Sequence, residues 1–350
     1  MQIMRADHDG GMTMTTISKI QHLPKVELHY HLDGGLRLST VRVFASAAGL
    51  PLPDREEELT GLLRVTEHCA SLAEYLERFR LPAQLLQTAA NLKRAAYEAV
   101  EDAAKTNVKY IEIRFAPLLH TGQGLSPEEA VSAVLDGMKA GEQASGTVAR
   151  LILICLRNHS IALNWQVLEL VQAFFGKGVV GIDLAGDEAG YPPTLHQPVF
   201  EEACRLGIPI TVHAGEAAGA DSIRGAVLGL HARRIGHGVR LEQDLSLLRF
   251  VREHRIALEM CLSSNIQTKA ASAWETHPIR KYYDEGIAVT VNTDNTTVSN
   301  TTLNLEYERL MFHYGFRLNE LQRMNRYALE ASFAEAEVKL KLMREYFAEA

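Results

Sequence analysis

The stretch KVELHYHLDG, residues 25–34, alternates polar and apolar side chains and then runs into Gly34-Gly35. A β-strand turns successive side chains to opposite faces, so His29 and His31 point the same way. Two imidazoles on one face at a strand end make a candidate half of a metal site. Asp33 shares that face if the strand continues. A turn at Gly34-Gly35 instead leaves it facing a cavity as a ligand contact.

Seven further apolar runs follow: YIEIRFAP (110–117), RLILICL (150–156), VVGIDLAG (179–186), IPITVHAG (208–215), RRIGHGV (233–239), IALEMCLS (256–263) and IAVTVNTD (287–294). Most are rich in β-branched residues, and several are nearly continuously apolar, as parallel strands buried on both faces are. Between them lie segments such as SPEEAVSAVLDGMKAGEQA and LNWQVLELVQAFFGKG, whose apolar residues fall at helical spacing. Strand and helix alternating in this way predict an α/β fold, a (β/α)8 TIM barrel, whose usual size is about 250 residues. A doubly wound open sheet is the alternative, weakened because no GxGxxG loop opens the first crossover.

The gap between the first two runs is long, about 75 residues, and predicts a helical insertion after the first strand. Its stripe of Leu72, Tyr75, Leu76 and Phe79 sits at i, i+3, i+4, i+7. It packs on the barrel or, as a lid over the barrel mouth, lines a pocket. Residues 17–350 read as one domain, and residues 1–16 as an expression leader or a disordered segment.

Of the 350 residues, 47% are hydrophobic, and the net charge is −7. No basic patch suits a nucleic-acid partner. No apolar run reaches the roughly 18 to 20 residues that a membrane span needs. A small-molecule partner is expected. Cys69, Cys155, Cys204 and Cys261 form no CxxC pair and read as reduced thiols in the cytoplasm.

The polar residues gather at the C-terminal ends of the expected strands, which in a barrel meet on the face where active sites form. His29, His31, His213 and Asp294 offer three imidazoles and a carboxylate, a set suited to zinc rather than to calcium or magnesium. Four protein ligands ordinarily mark a closed structural zinc. The position among other titratable groups argues for a fifth, water ligand and a hydrolytic role. Glu216, three residues after His213, is placed to take and return protons beside the metal. His237, between glycines in IGHGV, is placed to orient or deprotonate the water.

VELHYHLDG, DLAGDE, HAGE, RIGHG, CLSSN with HP following, and NTDN resemble, in order, the motifs of the adenosine deaminase family. The resemblance spans residues 25–303. It implies a (β/α)8 barrel with one zinc per chain that hydrolyses a purine 6-amino group to an oxo group. It implies zinc ligands His29, His31, His213 and Asp294, with Glu216 protonating purine N1 and His237 handling the water. It also implies a backbone contact from Gly186 to N3 and a ribose hydroxyl on Asp33. Leu72, Tyr75 and Phe79 resemble the family's apolar gate over the substrate.

Two positions depart from the family pattern. Asn295 stands where a second aspartate is usual, opposite purine N7. N7 is an acceptor, and an amide donates to it at any pH. Leu262 stands where proline usually follows the cysteine, and is expected to change a loop rather than the chemistry. The expected substrate is adenosine or 2′-deoxyadenosine. A larger adenosine-like nucleoside such as aminodeoxyfutalosine, or free adenine, is the alternative within the chemistry. A nucleoside-binding zinc protein without turnover is the alternative outside it. A two-metal hydrolase is disfavoured because GIDLAGDE offers Asp183 but no lysine.

Overall fold

The computed structural model describes residues 14–66 and 68–348. Eight parallel strands follow one another around a single sheet: β1 Lys25–His31, β2 Val108–Phe115, β3 Val148–Leu156, β4 Val179–Ala185, β5 Ile210–Ala214, β6 Arg234–His237, β7 Ala257–Met260 and β8 Val289–Val291. The seam between last and first strands is closed by Asp294, whose N–H donates to His29 O at 3.0 Å and whose carbonyl accepts from His31 N at 2.8 Å. This is the (β/α)8 barrel that the alternation of runs predicts. Among the described residues, no helix is long and apolar enough to cross a membrane.

The alternation in β1 explains its place. Val26 and Leu28 join an apolar cluster with Ala328, Leu329 and Leu342 of the C-terminal helices. Lys25, Glu27 and His29 are buried as well, on the other face. A buried charge needs partners. Lys25 Nζ finds the carbonyls of Ile20, Leu23 and Thr106 at 2.6, 2.8 and 2.9 Å. Glu27 accepts from the backbone N–H of Thr293 at 2.7 Å.

Between β1 and β2 the chain forms the expected insertion, with helices Leu38–Ala47, Glu56–Leu63, Leu72–Leu76, Arg80–Leu85 and Ala89–Lys105. Leu72–Leu76 begins at Ser71, whose hydroxyl accepts from Glu74 N, and passes into a 3-10 turn, Glu77–Phe79. The first helix, Met14–His22, starts inside the segment expected to be a leader. The earlier part of that segment, residues 1–13, lies outside the described residues.

Gly34 is glycine for lack of space. A Cβ there would lie 1.7 Å from Asn295 Oδ1. Its carbonyl also accepts from the backbone of Thr297 at 3.0 Å, so the loops after β1 and β8 are in tight contact. Gly34→Ala is expected to force them apart and cost about 1–3 kcal/mol, as overpacking does. Gly61→Ala is the control. It lies within Glu56–Leu63 with nothing within 4 Å of the new Cβ, and is expected to stabilise by about 0.5–1 kcal/mol. Denaturant melts of the two variants check both; equal midpoints would show that the Gly34 contact carries no stability.

Candidate active site

The C-terminal ends of the strands surround a cavity of about 140 Å³. His31, Asp33, Gly186, His213, Glu216, His237, Asp294 and Asn295 line it, and the insertion contributes Leu72, Tyr75, Leu76 and Phe79. His29 is fully buried just behind, with Nε2 3.4 Å from Asp294 Oδ1. The structure therefore brings together every residue that the sequence singled out, and the apolar stripe faces the cavity. The remaining wall is apolar, with Ala116, Leu119, Ile154 and Leu156.

The four expected metal ligands converge closely. His31 Nε2 lies 3.2 Å from both His29 Nε2 and His213 Nε2, and 3.3 Å from Asp294 Oδ1. Bonds of about 2.0–2.1 Å to one ion at tetrahedral angles span such separations. The far sides of two rings settle which nitrogens are free. His29 Nδ1 donates to Glu259 Oε2 at 2.8 Å, and His213 Nδ1 donates to Asp183 Oδ1 at 3.1 Å. With a proton on Nδ1, each ring in its neutral form turns a bare Nε2 lone pair inward. Two such lone pairs and a carboxylate facing one point call for a cation. A looser quartet exchanges His31 for His237, with donor atoms within 4.8 Å of one another.

The carboxylates behind the histidines are held in turn. Arg114 Nη1 donates to Asp183 and Nη2 to Glu259, each at 2.9 Å, and all three groups are fully buried. Arg234 joins Glu259 at 2.7 Å and Glu112 at 2.5 Å. Burial pushes the Glu259 carboxyl up, but Arg114 and Arg234 outweigh it and hold it ionised well below the usual range. This network was not read from the sequence. The available signal was charge inside strands that are otherwise apolar, as in YIEIRFAP with Glu112 and Arg114 on one face.

Glu216 and His237 face each other across the cavity, with His237 Nε2 3.6 Å from Glu216 Oε2. Burial pushes the Glu216 carboxyl well above its ordinary value, and the charges of Asp294 and Glu188 add to this. Burial pushes His237 the other way, well below an ordinary imidazole. Asp294 is held well below the carboxylate range: burial opposes ionisation, but His29 and His31 outweigh it. Asp33 is raised to about 6 by burial. His237 and Asp294 both have positive φ, 63° and 61°, a strained region for such residues that clusters at functional sites.

Glu188, the last residue of DLAGDE, holds the loop that carries Glu216. Its Oε1 accepts from Gly215 N at 2.6 Å, and its Oε2 from the N–H groups of Glu216, Ala217 and Ala218 at 3.0, 2.6 and 2.9 Å. Successive N–H groups in a loop form an anion nest, here filled by the protein itself. Gly186 follows β4 with φ +103°, a conformation that side chains rarely adopt.

The two departures from the motif pattern have visible surroundings. Leu262 is buried at the first position of the short helix Leu262–Gln267, where proline fits equally well because that N–H has no helical partner. Asn295 differs from expectation. Its Nδ2 donates to Tyr75 Oη at 3.0 Å, and its Oδ1 is buried without a partner. The Tyr75 hydroxyl also meets Ser299 Oγ at 2.6 Å. A hydroxyl both donates and accepts, so the contact with Tyr75 persists with the amide turned over.

A family model described as adenosine deaminase matches residues 24–348. An adenosine deaminase of Clostridium botulinum is 43% identical over 328 residues, 93% of this chain and 98% of the relative. In structure, an adenine deaminase from Arthrobacter aurescens superposes with a TM-score of 0.86 at 27% identity, covering 93% of this chain and 98% of that one. The N6-methyl-AMP deaminase of Arabidopsis thaliana superposes with a TM-score of 0.83 at 29% identity, covering 94% and 98%. Barrel, converging histidines, ordered motifs and these likenesses agree, and the chain belongs to the adenosine deaminase family, hydrolases that act on a purine 6-amino group.

Proposed function

We propose that the protein hydrolyses adenosine or 2′-deoxyadenosine to inosine or 2′-deoxyinosine, releasing ammonia, with one zinc ion per chain. The observation that carries this reading is the pairing, in one cavity, of a buried carboxyl whose proton affinity burial raises with a convergent cluster of histidines and a carboxylate. In this reading His29, His31, His213 and Asp294 hold the zinc. Zinc supplies Lewis acidity that lets water lose a proton near neutral pH. Glu216 gives its proton to purine N1, which draws electrons from C6 and opens it to attack. His237 orients the incoming water. The Gly186 backbone meets N3, Asn295 meets N7 through its NH2, and Asp33 takes a ribose hydroxyl. Leu72, Tyr75 and Phe79 cover the base and keep the site dry, which sustains the protonated state of Glu216.

The lining also bears on the substrate. Among the described residues, no lysine or arginine lines the cavity, whereas Asp33, Glu216 and Asp294 do. A phosphate would find no cation there, which favours a nucleoside over a nucleotide such as the one the Arabidopsis relative is named for. Free adenine would leave Asp33 without a partner. The four cysteines are free thiols, three of them buried, which supports a reducing compartment, the cytoplasm. Residues 17–350 act as one domain in this reading.

Ultraviolet absorbance of the zinc-loaded protein with adenosine, adenine and aminodeoxyfutalosine, taken separately, tests substrate and reaction together. Adenosine is expected to lose its adenine-type band fastest. Fast loss with another compound alone would keep the chemistry and change the substrate; no loss with any would remove the reaction.

Chelation is expected to abolish turnover, and elemental analysis to find close to one zinc per active chain. A reproducible value near two would overturn the one-metal site. Glu216→Gln is expected to lower kcat by about 10²–10⁴ with little change in KM.

The pH profile follows from the same residue. Glu216 must be protonated to act, so activity falls as pH rises past its raised pKa. Glu188→Gln removes a negative neighbour that helps to raise it, so the alkaline limb is expected at lower pH. A limb that stays in place or moves up would show that Glu188 does not act on Glu216.

A further inference from the structure

Asn265 and His277, from CLSSN and the HP that follows, are both buried, yet neither lines the cavity. They form a line of hydrogen bonds that ends on His237. The backbone N–H of Ile279 meets His277 Nδ1 at 3.3 Å. His277 Nε2 meets Asn265 Oδ1 at 3.1 Å. Asn265 Nδ2 meets His237 Nδ1 at 2.9 Å. Asn265 lies in Leu262–Gln267, and Ile279 opens the helix Ile279–Asp284.

The polarity of this line is set from its far end. A backbone N–H only donates, so His277 Nδ1 accepts. Burial pushes His277 down to about 3, so its ring is neutral and its one proton sits on Nε2, which donates to Asn265 Oδ1. That fixes the amide with its NH2 toward His237, whose Nδ1 accepts in turn. The neutral His237 ring then carries its proton on Nε2, the nitrogen turned toward Glu216. The opposite polarity would set two N–H groups, of Ile279 and His277, against each other in a buried place, at a cost of about 1–3 kcal/mol.

We propose that Asn265 and His277 are positioning residues that hold His237 as an Nε2–H donor toward the cavity. The proposal rests on the function given above and narrows it. Two tasks were open to His237, orienting water or deprotonating it. A nitrogen that already carries its proton donates a hydrogen bond to the attacking oxygen; it is not the base. The neighbouring histidines have the reverse arrangement. Carboxylates hold the protons of His29 and His213 on Nδ1, and an amide holds that of His237 on Nε2. Side-chain partners on the outer sides of the rings thus divide three imidazoles of one cluster into two lone-pair donors and one proton donor.

The test is ¹⁵N NMR of histidine-labelled, zinc-loaded protein, with the His237 ring signals identified by their loss in His237→Gln. The expected pattern is a protonated Nε2 and a bare Nδ1. Asn265→Asp places an acceptor beside Nδ1 and is expected to move the proton there, lowering kcat at least ~10-fold with KM little changed. His277→Gln keeps a side-chain N–H for Asn265 Oδ1 and is expected to retain both the wild-type ring pattern and most of kcat, whereas His277→Ala is expected to lose both. A wild-type His237 with its proton on Nδ1 would overturn the proposal, and that spectrum decides even if Asn265→Asp fails to fold. So would an Asn265→Asp protein whose ring pattern and kcat match wild type. Because the spectrum needs no substrate, a protonated Nε2 in a protein that deaminates nothing would uphold the arrangement and remove only the reaction it serves.

Discussion

The ion pairs of Arg114 are the constraint on which the rest of the interior depends. Barrel interiors are ordinarily filled by layers of branched apolar side chains. Here the layer beneath the site holds two guanidinium groups and three carboxylates, all nearly or fully buried. Such groups are tolerable only as a set, because removing one partner strands a buried charge at a cost of about 3–5 kcal/mol. The set spans β2, β4, β6 and β7 and reaches β1 and β5 through His29 and His213. The orientation of the imidazoles is therefore a property of the barrel's cross-section, not of the loops above it.

Above that layer, one physical influence acts in opposite senses on different groups. Burial penalises charge, so it lifts the Glu216 carboxyl and depresses the His237 imidazole. Asp294, a few ångströms away, experiences the same penalty but is surrounded by imidazoles and stays ionised. The proton affinities of two carboxyl groups in one cavity are thus pushed in opposite directions, the pattern by which acid and anion roles are divided in active sites. Leu72, Phe79, Ile154 and Leu156 make the wall beside these groups apolar.

Much of this was legible in the sequence, for physical reasons. Parallel strands buried on both faces leave apolar runs, and all eight runs form strands. The ends were less legible. β7 and β8 close at Met260 and Val291, short of the runs in 256–263 and 287–294: after Met260 the chain enters the helix Leu262–Gln267, and after Val291 it runs to Asp294 and Asn295 in the cavity wall. The residues at strand ends could be read as a site because a barrel gathers those ends on one face. The supporting charges could not. That Glu112, Asp183 and Glu259 share two arginines depends on register across the barrel, which no local pattern encodes. Asn295 shows another limit. Its donor capacity follows from its chemistry, but its packing against the Tyr75 hydroxyl, 220 residues away in sequence, does not.

The seam of the barrel has a consequence for how the molecule comes into being. Asp294 bonds through its backbone to His29 and His31 and offers its side chain to the same two rings. The closing stitch between the first and last strands and the histidine–carboxylate cluster are one structure. The cluster cannot preassemble in a nascent chain that lacks its eighth strand. A cation that binds there ties the two ends of the sheet together and adds its binding free energy to the closed form alone. Metal supply would then bear on how strongly the shut seam is favoured over an open one.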